Sequence, residues 1–225
     1  MNMDRMSADR ANRQREMILL RHGQSTANAS GVWQGQLEFP LSEEGRKQAA
    51  CAGQALKGTR LSGIYASPLS RAFETAEIVA REAGYSGSVV PMPDLMERYG
   101  GVLEGHTWAE QEASNPAFVE KFLALPEEER WTLAGAETDE EILERFERAV
   151  YQILSRPESA DGPSVVVSHG GIMRAFLRDR FGPGILAGLE RAPNASFTRI
   201  LWNLSEPDAA PRLLELASTK HFSSR

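Results

Sequence analysis

Two histidines and two arginines follow short apolar runs of this sequence, at the points where buried strands would end. They are Arg21, His22, Arg71 and His169. The chain has four histidines in 225 residues, so two of them at strand ends are a specific signal. Open α/β sheets bind ligands beyond the carboxyl ends of their strands. We therefore expect these side chains to meet at one edge of a sheet.

These residue types suit the chemistry of a phosphate group. The guanidinium groups of Arg21 and Arg71 can hold phosphate oxygens with forked, charge-assisted hydrogen bonds. The neutral imidazole of His22 is a nucleophile that can take up a phosphoryl group. His169 can donate a hydrogen bond as charge builds in the transition state, and backbone N–H groups of the helix after Gly170 add an anion site.

Phosphoryl transfer also needs an acid that protonates the leaving oxygen. The best candidate is Glu97 in the loop DLMERYGGVLEG (94–105), which follows an apolar run. Glu104 is the second candidate and could instead orient the loop. The sequence therefore supplies a nucleophile, an anion pocket and an acid.

Other site types fit the sequence less well. His22 and His169 could ligate a metal, but no cysteine, third histidine or ligand spacing completes a site. The chain lacks the phosphate-loop and dinucleotide-loop glycine patterns. Neither Ser25 nor Ser67 lies in a G-x-S-x-G elbow, which disfavours a serine hydrolase.

The composition limits the class of partner. Hydrophobic residues make up 41% and charged residues 25%, as in ordinary globular proteins. The net charge of −6 disfavours nucleic-acid binding, which usually needs a basic surface. No run approaches the roughly 20 apolar residues of a membrane span. Residues 1–16 are polar throughout, which predicts a disordered N-terminal extension and a cytoplasmic protein.

Strand and helix patterns alternate along the chain, which predicts an α/β sandwich with a largely parallel sheet. The predicted strands are MILL (17–20), GIYAS (63–67), SVVPM (88–92), SVVVS (164–168), FTRILWNL (197–204) and a weaker edge strand RLLELA (212–217). Ser42 is predicted to cap one helix, and Ser67 with Pro68 to begin another. Thr138 and Glu141 fit a capping box, and a last helix is predicted from Gly170 to about residue 182.

Residues 106–137 interrupt this alternation. They are helical in pattern, rich in charge and without a strand, so we expect an inserted helical cap over one end of the sheet. The aromatic residues of this stretch could line a substrate cleft or pack the cap itself. They are Trp108, Phe118, Phe122 and Trp131.

Five segments, in this order, resemble the histidine phosphatase superfamily, in its phosphoglycerate-mutase-like branch. They are LLRHGQSTAN (19–28), FPLSEEGRKQA (39–49), YASPLSRAFETA (65–76), ERYGGVLEG (97–105) and VVVSHGGIMRAF (165–176). The resemblance implies a three-layer α/β/α sandwich with a mostly parallel central sheet. Within it, residues 17–218 would form a single domain that includes the cap, and residues 219–225 would form a tail.

The resemblance also implies roles for individual residues. His22 would become phosphorylated, Glu97 would donate the proton, and Arg21, Arg71 and His169 would form the phosphate pocket. The residues implied to bind substrate are Asn28 through its amide, Gly170 through its N–H, and Gln24 and Ser25 flanking the site. The resemblance further implies that no metal or cofactor is required and that the substrate is a small phosphorylated metabolite. A homodimer is expected only by analogy with the family.

Two departures from the family pattern concern loops. Glu38-Phe39-Pro40 stands where the family often has an aspartate, and Leu103 stands where it often has tryptophan. These departures bear on how the loops pack more than on the chemistry.

Three functions remain open at this point. A phosphatase is favoured over a phosphoglycerate mutase because residues 105–131 are short and acid-rich, with Lys121, Arg130 and nearby His106 as their positive groups. A bisphosphorylated intermediate would be held poorly against that charge balance. The run from Glu97 to Gly100 does resemble the mutases. A non-catalytic phospho-ligand binding module is the third reading, although the nucleophile and the acid are both present.

Overall fold

The computed structural model describes residues 14–187, 192–206 and 210–223. Six strands of this part form one sheet in the order β3-β2-β4-β1-β5-β6. Their bounds are β1 Gln14–Arg21, β2 Gly63–Ala66, β3 Val89–Pro91, β4 Ser164–Ser168, β5 Phe197–Asn203 and β6 Arg212–Ser218. All six predicted strands are present, and β6 lies at an edge as predicted.

The sheet is parallel through its first four strands and antiparallel through the last two. The central strands β2 and β4 are buried along their whole length. Continuous apolar runs suit this position because helices cover both faces of a parallel sheet. As a result, the carboxyl ends of the neighbouring strands β2, β4 and β1 lie side by side at one edge.

Eight α-helices are described. They are α1 Thr26–Ser30, α2 Glu43–Ala55, α3 Ser70–Ala83, α4 Trp108–Ser114, α5 Pro116–Ala124, α6 Glu127–Leu133, α7 Asp139–Leu154 and α8 Gly170–Phe181. Side chains on one face of the sheet pack with α7 and α8, and those on the other face pack with α2 and α3. This arrangement is the three-layer α/β/α sandwich that the resemblance implied.

The predicted capping residues are confirmed at two helices and wrong at a third. Ser42 caps α2, and Thr138 forms a capping box with Glu141 at the start of α7. Ser67 does not cap α3, because the helix begins at Ser70 and its first N–H donates to the Glu38 carboxylate at 2.9 Å. The hydroxyl of Ser67 contacts His169 instead, at 2.8 Å.

The chain ends differ from the predicted boundaries where they are described. Strand β1 begins at Gln14, three residues inside the predicted extension 1–16, and pairs with β5 from that residue onward. Residues 1–13 lie outside the described residues. The predicted tail 219–225 contains a short 3₁₀ helix, Lys220–Phe222, and residues 224–225 again lie outside the description.

The cap consists of α4, α5 and α6, within the predicted range 106–137. Its apolar side chains form a cluster of their own, with buried Leu103, Phe122 and Ala134 at its centre. Trp108, Phe118 and Trp131 pack against that cluster and so hold the cap together, and Trp131 also lines the cavity described below. Leu103, at the position where tryptophan was expected, fills this cluster and is fully buried.

Candidate active site

The candidate nucleophile, His22, lies directly after β1 and is 2% exposed. Its ring Nδ1 is 2.7 Å from the carbonyl oxygen of Gly23. A carbonyl only accepts hydrogen bonds, so Nδ1 carries the proton and Nε2 of the neutral ring keeps its lone pair. The loop is pressed against α2: a Cβ on Gly23 would lie 2.4 Å from the carbonyl oxygen of Gly45.

The surroundings of His22 keep its ring neutral. Burial holds the pKa of His22 well below the ordinary value of 6.5, and the positive charges of Arg21 and Arg71 lower it further. The hydrogen bond to the Gly23 carbonyl raises the pKa and opposes these effects. A neutral ring with a free lone pair is the form that attacks phosphorus.

The second imidazole, His169, follows β4 and is fully buried. The centres of the His22 and His169 rings are 5.0 Å apart. Burial holds the pKa of His169 well below 6.5, and Arg71, His22, Arg21 and Arg145 lower it further, so this ring is neutral as well.

The hydrogen bonds of Ser67 fix the tautomer of His169. The Ser67 oxygen accepts from the N–H of Leu69 at 3.3 Å and lies 2.8 Å from His169 Nε2. Ser67 is fully buried, and an unsatisfied buried hydroxyl costs about 1–3 kcal/mol. The hydroxyl therefore donates to Nε2, which leaves the ring proton on Nδ1. That buried nitrogen has no partner within the described residues, so it is a donor that lacks an acceptor.

The guanidinium of Arg71, in the first turn of α3, is anchored by backbone carbonyls. It donates to the oxygens of Leu37 at 2.8 Å and Gly35 at 2.7 Å. Burial lowers the pKa of Arg71, and the charges of Glu97, Glu38 and Glu104 raise it again. Its Nε is buried and meets no hydrogen-bond partner among the described residues, although Arg71 lines the central cavity.

Arg21, the last residue of β1, approaches the same place from the other side. Its Nη1 donates to the carbonyl of Ala192, and a Cβ on Gly170 would lie 3.3 Å from its Nε. The glycine at 170 thus lets the first turn of α8 pass close to this guanidinium. Two arginines and the amino end of a helix converge beside His22.

The amide of Asn28 is oriented by two donors. Its Oδ1 accepts from the N–H of Ser25 at 3.2 Å and from Asn194 Nδ2 at 3.1 Å. Because the oxygen is used in this way, the Nδ2 group is the part of Asn28 left to donate to a ligand. Asn28 lines the cavity.

The candidate acid, Glu97, reaches across to α8. Its carboxylate accepts from the N–H of Gly171 at 2.8 Å and of Ile172 at 2.9 Å, and also from that of Arg98 at 2.8 Å. A Cβ on Gly171 would come within 2.6 Å of the carboxylate, so glycine is needed for this approach. Glu97 lines the cavity together with His22 and Arg71.

The cavity has a volume of about 400 Å³ and extends from His22 toward the cap. Beyond the phosphate end it is lined by residues of the cap, α8, the loop after α1 and the loop of Glu97. They include Trp33, Gln34, Arg98, Trp131, Met173, Arg174, Leu177 and Arg178. Two of its cations are paired with carboxylates: Arg98 with Asp139, and Arg178 with Glu127 at 2.9 Å. Arg98 also lies over the Trp131 ring, 4.2 Å from its centre.

Comparison with known proteins agrees with this geometry. The model of the histidine phosphatase superfamily (branch 1) matches residues 17–210. This chain belongs to the histidine phosphatase superfamily. The resemblance drawn from the five sequence segments is therefore confirmed.

The relatives include phosphatases. The metal-independent phosphoserine phosphatase of Arabidopsis thaliana is 35% identical over 165 residues, which cover 72% of this chain and 68% of that protein. Phosphoglycerate mutase-like protein 4 of Arabidopsis thaliana is 32% identical over 168 residues, covering 72% and 69%. The native structure of a mycobacterial glucosyl-3-phosphoglycerate phosphatase has a TM-score of 0.76 at 30% identity, over 92% of this chain and 100% of that one. The two phosphatases among them confirm the prediction of a phosphatase of this superfamily.

Three of the residues considered for the site do not line the cavity. Gln24 accepts from Ser42 through its side chain and does not line the cavity. Ser25 caps α1 and donates to Gln34 at 2.7 Å; Gln34 lines the cavity, but Ser25 itself does not. Glu104 accepts from the N–H groups of Gln36 and Gly100 at 2.7 and 2.8 Å, which is the loop-orienting role considered for it.

The sequence reasoning missed the arginines at the cap end of the cavity. It sought positive groups at Lys121, Arg130 and His106, none of which lines the cavity. Arg174 and Arg178 do line it, and both sit at four-residue spacing from Gly170, on the same face of α8. That spacing is the signal that could have found them.

Two classes of feature are not found in the described part of the chain. Across residues 14–187, 192–206 and 210–223, no three His, Cys, Asp or Glu side chains are grouped so that they could hold a metal ion. Among the same residues, no helix has both the length and the apolar character to cross a membrane.

Proposed function

We propose that this protein hydrolyses phosphate monoesters through a phosphohistidine formed on Nε2 of His22. The observation that carries the proposal is the orientation of His22. Its Nδ1 proton is held by the Gly23 carbonyl, so its lone pair is on Nε2. The charges of Arg21 and Arg71 act on His22, and the ring of His169 lies 5.0 Å from it. All three side chains suit a phosphate.

In the first step, His22 Nε2 forms a bond to phosphorus while the ester P–O bond breaks. The departing oxygen takes a proton from Glu97, so an alcohol leaves. In the second step, water attacks the phosphohistidine, the P–N bond breaks, and the Glu97 carboxylate takes the proton of the water. Inorganic phosphate leaves, and His22 and Glu97 return to their starting states.

The phosphoryl oxygens gain negative charge during both steps, and the described donors suit that charge. Arg71 keeps its Nε, and His169 its Nδ1–H, for an acceptor that the chain does not supply. Arg21, the Asn28 amide and the Gly170 N–H complete the proposed pocket. Preorganised donors of this kind usually supply the largest part of a rate enhancement.

Glu97 is proposed as the acid because of the state of the other cavity carboxylates. Among the described residues that line the cavity, Glu127 and Asp139 each form an ion pair with an arginine. Glu97 is instead held by backbone N–H groups next to the phosphate end.

The substrate is proposed to be a small phosphorylated metabolite, since a cavity of about 400 Å³ leaves room for a leaving group beside the phosphate. Relatives are named for phosphoserine and glucosyl-3-phosphoglycerate, and both phosphate esters are suitable first substrates to test. Hydrolysis is proposed over a mutase reaction because the relative of 35% identity and a solved structure of 30% identity are both named as phosphatases. No nucleic acid or membrane partner is proposed. The cytoplasmic location and the homodimer stay predictions.

The test is turnover of p-nitrophenyl phosphate with and without EDTA. We expect turnover that EDTA leaves unchanged, that His22→Ala abolishes, and that His106→Ala retains, because His106 is an exposed histidine of the cap. A rapidly quenched reaction should contain an acid-labile, alkali-stable phosphoenzyme. Turnover that persists in His22→Ala would exclude the phosphohistidine route. Robust conversion of 3-phosphoglycerate to 2-phosphoglycerate would replace the phosphatase with a mutase.

A further inference from the structure

The loop that carries Glu97 has little regular structure of its own. After β3 it makes one 3₁₀ turn, Pro93–Leu95, and residues 96–100 form no helix or strand. A group that acts in the transition state must be held close to its productive position, since a displacement of about 1 Å can cost about a hundredfold in rate. Something outside the loop must therefore fix it.

Arg145, on α7, holds this loop through its backbone. Its guanidinium donates to three carbonyl oxygens of the loop: Asp94 at 3.1 Å, Met96 at 2.6 Å and Glu97 at 3.0 Å. Its side chain is 12% exposed. A planar guanidinium with five N–H donors can bind several carbonyls at once, which a lysine ammonium on a flexible stem does much less well.

Glu137 holds the guanidinium in turn. Its two carboxylate oxygens accept from Arg145 Nε at 3.0 Å and Nη2 at 2.9 Å. The same carboxylate accepts from the N–H of Tyr99 at 2.7 Å, and Gln36 donates to the Glu97 carbonyl at 3.0 Å. The residues on both sides of Glu97 are thus tied to one ion pair.

A neighbouring arginine on α7 shows that this arrangement is particular to Arg145. Arg148 pairs with the Asp94 carboxylate at 2.9 and 3.0 Å and is 49% exposed. It touches the same loop through a side chain at the surface and gives no described hydrogen bond to a loop carbonyl. Arg148 is therefore a matched control for Arg145.

We propose that Arg145, held by Glu137, is the positioning residue for the acid, and that it sets how well Glu97 reaches the leaving oxygen. The inference rests on the proposed function of Glu97. Arg145 takes no proton and touches no substrate. Its effect must therefore appear in the step that needs the acid, and only weakly where the leaving group departs without a proton.

The experiment compares phenyl phosphate with p-nitrophenyl phosphate, which share the aryl phosphate group but differ in their need for an acid, because the nitro group makes the phenol a better leaving group. In Arg145→Lys we expect kcat/KM for phenyl phosphate to fall by about ten- to a hundredfold, and that for p-nitrophenyl phosphate by less than about threefold. In Arg148→Lys the ratio of the two values should equal that of the unmodified protein. Thermal melting confirms that each variant is folded.

Glu97→Gln, measured beside these variants, separates the two proposals. If Glu97→Gln changes the ratio and Arg145→Lys does not, the proposal for Arg145 is wrong and the acid stands. If Glu97→Gln leaves the ratio unchanged, the acid assignment is wrong and the proposal for Arg145 is wrong with it. An equal loss on both substrates in Arg145→Lys also overturns the proposal, because it is the mark of a purely structural role.

Discussion

Acid should destabilise the folded protein through its two buried imidazoles. His22 and His169 are 2% and 0% exposed. Burial is the first cause that lowers both pKa values, and the nearby arginines add to it. In the unfolded chain both rings are exposed and have an ordinary pKa near 6.5. As the pH falls below about 6.5, the two imidazoles therefore become protonated in the unfolded state while they stay neutral in the folded state.

The size of the effect follows from this difference in proton binding. Each proton bound only by the unfolded state lowers the free energy of unfolding by about 1.4 kcal/mol per pH unit. Two rings that stay neutral in the folded protein would lower it by about 4 kcal/mol between pH 7 and pH 5. The loss begins near the unfolded pKa and stops below the folded one. It is large against a typical stability of about 5–15 kcal/mol.

The assay is urea unfolding at pH 7, 6 and 5 in buffers free of phosphate, with linear extrapolation to water. His22→Asn and His169→Asn should each remove about half of the loss that these two rings cause, since each removes one titrating ring. His221, whose pKa is lowered by partial burial, contributes to the loss that remains. His106→Asn removes an exposed histidine and should leave the loss unchanged. If the unmodified protein and both single variants lost the same stability, buried neutral imidazoles would not be its source.

Two further substitutions test the anchoring of the site. Arg71→Lys keeps the charge but loses the fork that binds two carbonyls, so kcat/KM for p-nitrophenyl phosphate should fall by about a hundredfold. Arg46 forms an exposed ion pair, so Arg46→Lys should change this kcat/KM by less than about twofold. Similar losses in Arg71→Lys and Arg46→Lys would refute the reasoning. Gly23→Ala places a Cβ 2.4 Å from the Gly45 carbonyl oxygen and should cost about 3 kcal/mol in urea unfolding. Gly184→Ala meets no atom within 4 Å, so an equal cost there would contradict the steric argument.

The sheet and most of its helices could be predicted because their signals are local. A continuous apolar run such as SVVVS indicates a buried strand from its own residues. Thr138 and Glu141, three residues apart, supply both hydrogen bonds of a capping box. Ser67 followed by Pro68 has the same local pattern as a helix start, yet its hydroxyl contacts a histidine 102 residues away. Only the packing of β2 beside β4 brings that partner into reach, so no local pattern could have indicated it.

The candidate site divides in the same way. His22 and His169 could be found because each directly follows a buried strand, and parallel strands bring their ends together. Gln24 and Ser25 follow His22 in the same loop, but their side chains bond to Ser42 and Gln34 and do not line the cavity. Adjacency along the chain does not fix the side toward which a side chain points. Arg145 was missed because the three carbonyl groups that it binds lie about 50 residues away along the chain.

The cationic side chains at the centre of this molecule are tethered to peptide oxygens: Arg71 to Gly35 and Leu37, and Arg145 to the loop of Glu97. Every amino acid has a backbone carbonyl oxygen. A substitution at residue 37 can therefore keep its hydrogen bond with Arg71, provided that the backbone conformation is unchanged. The cap end of the cavity, by contrast, is built from side chains. Substitutions at the cap end can therefore change which substrates bind, while the hydrogen bonds that hold the phosphate-binding arginine stay the same.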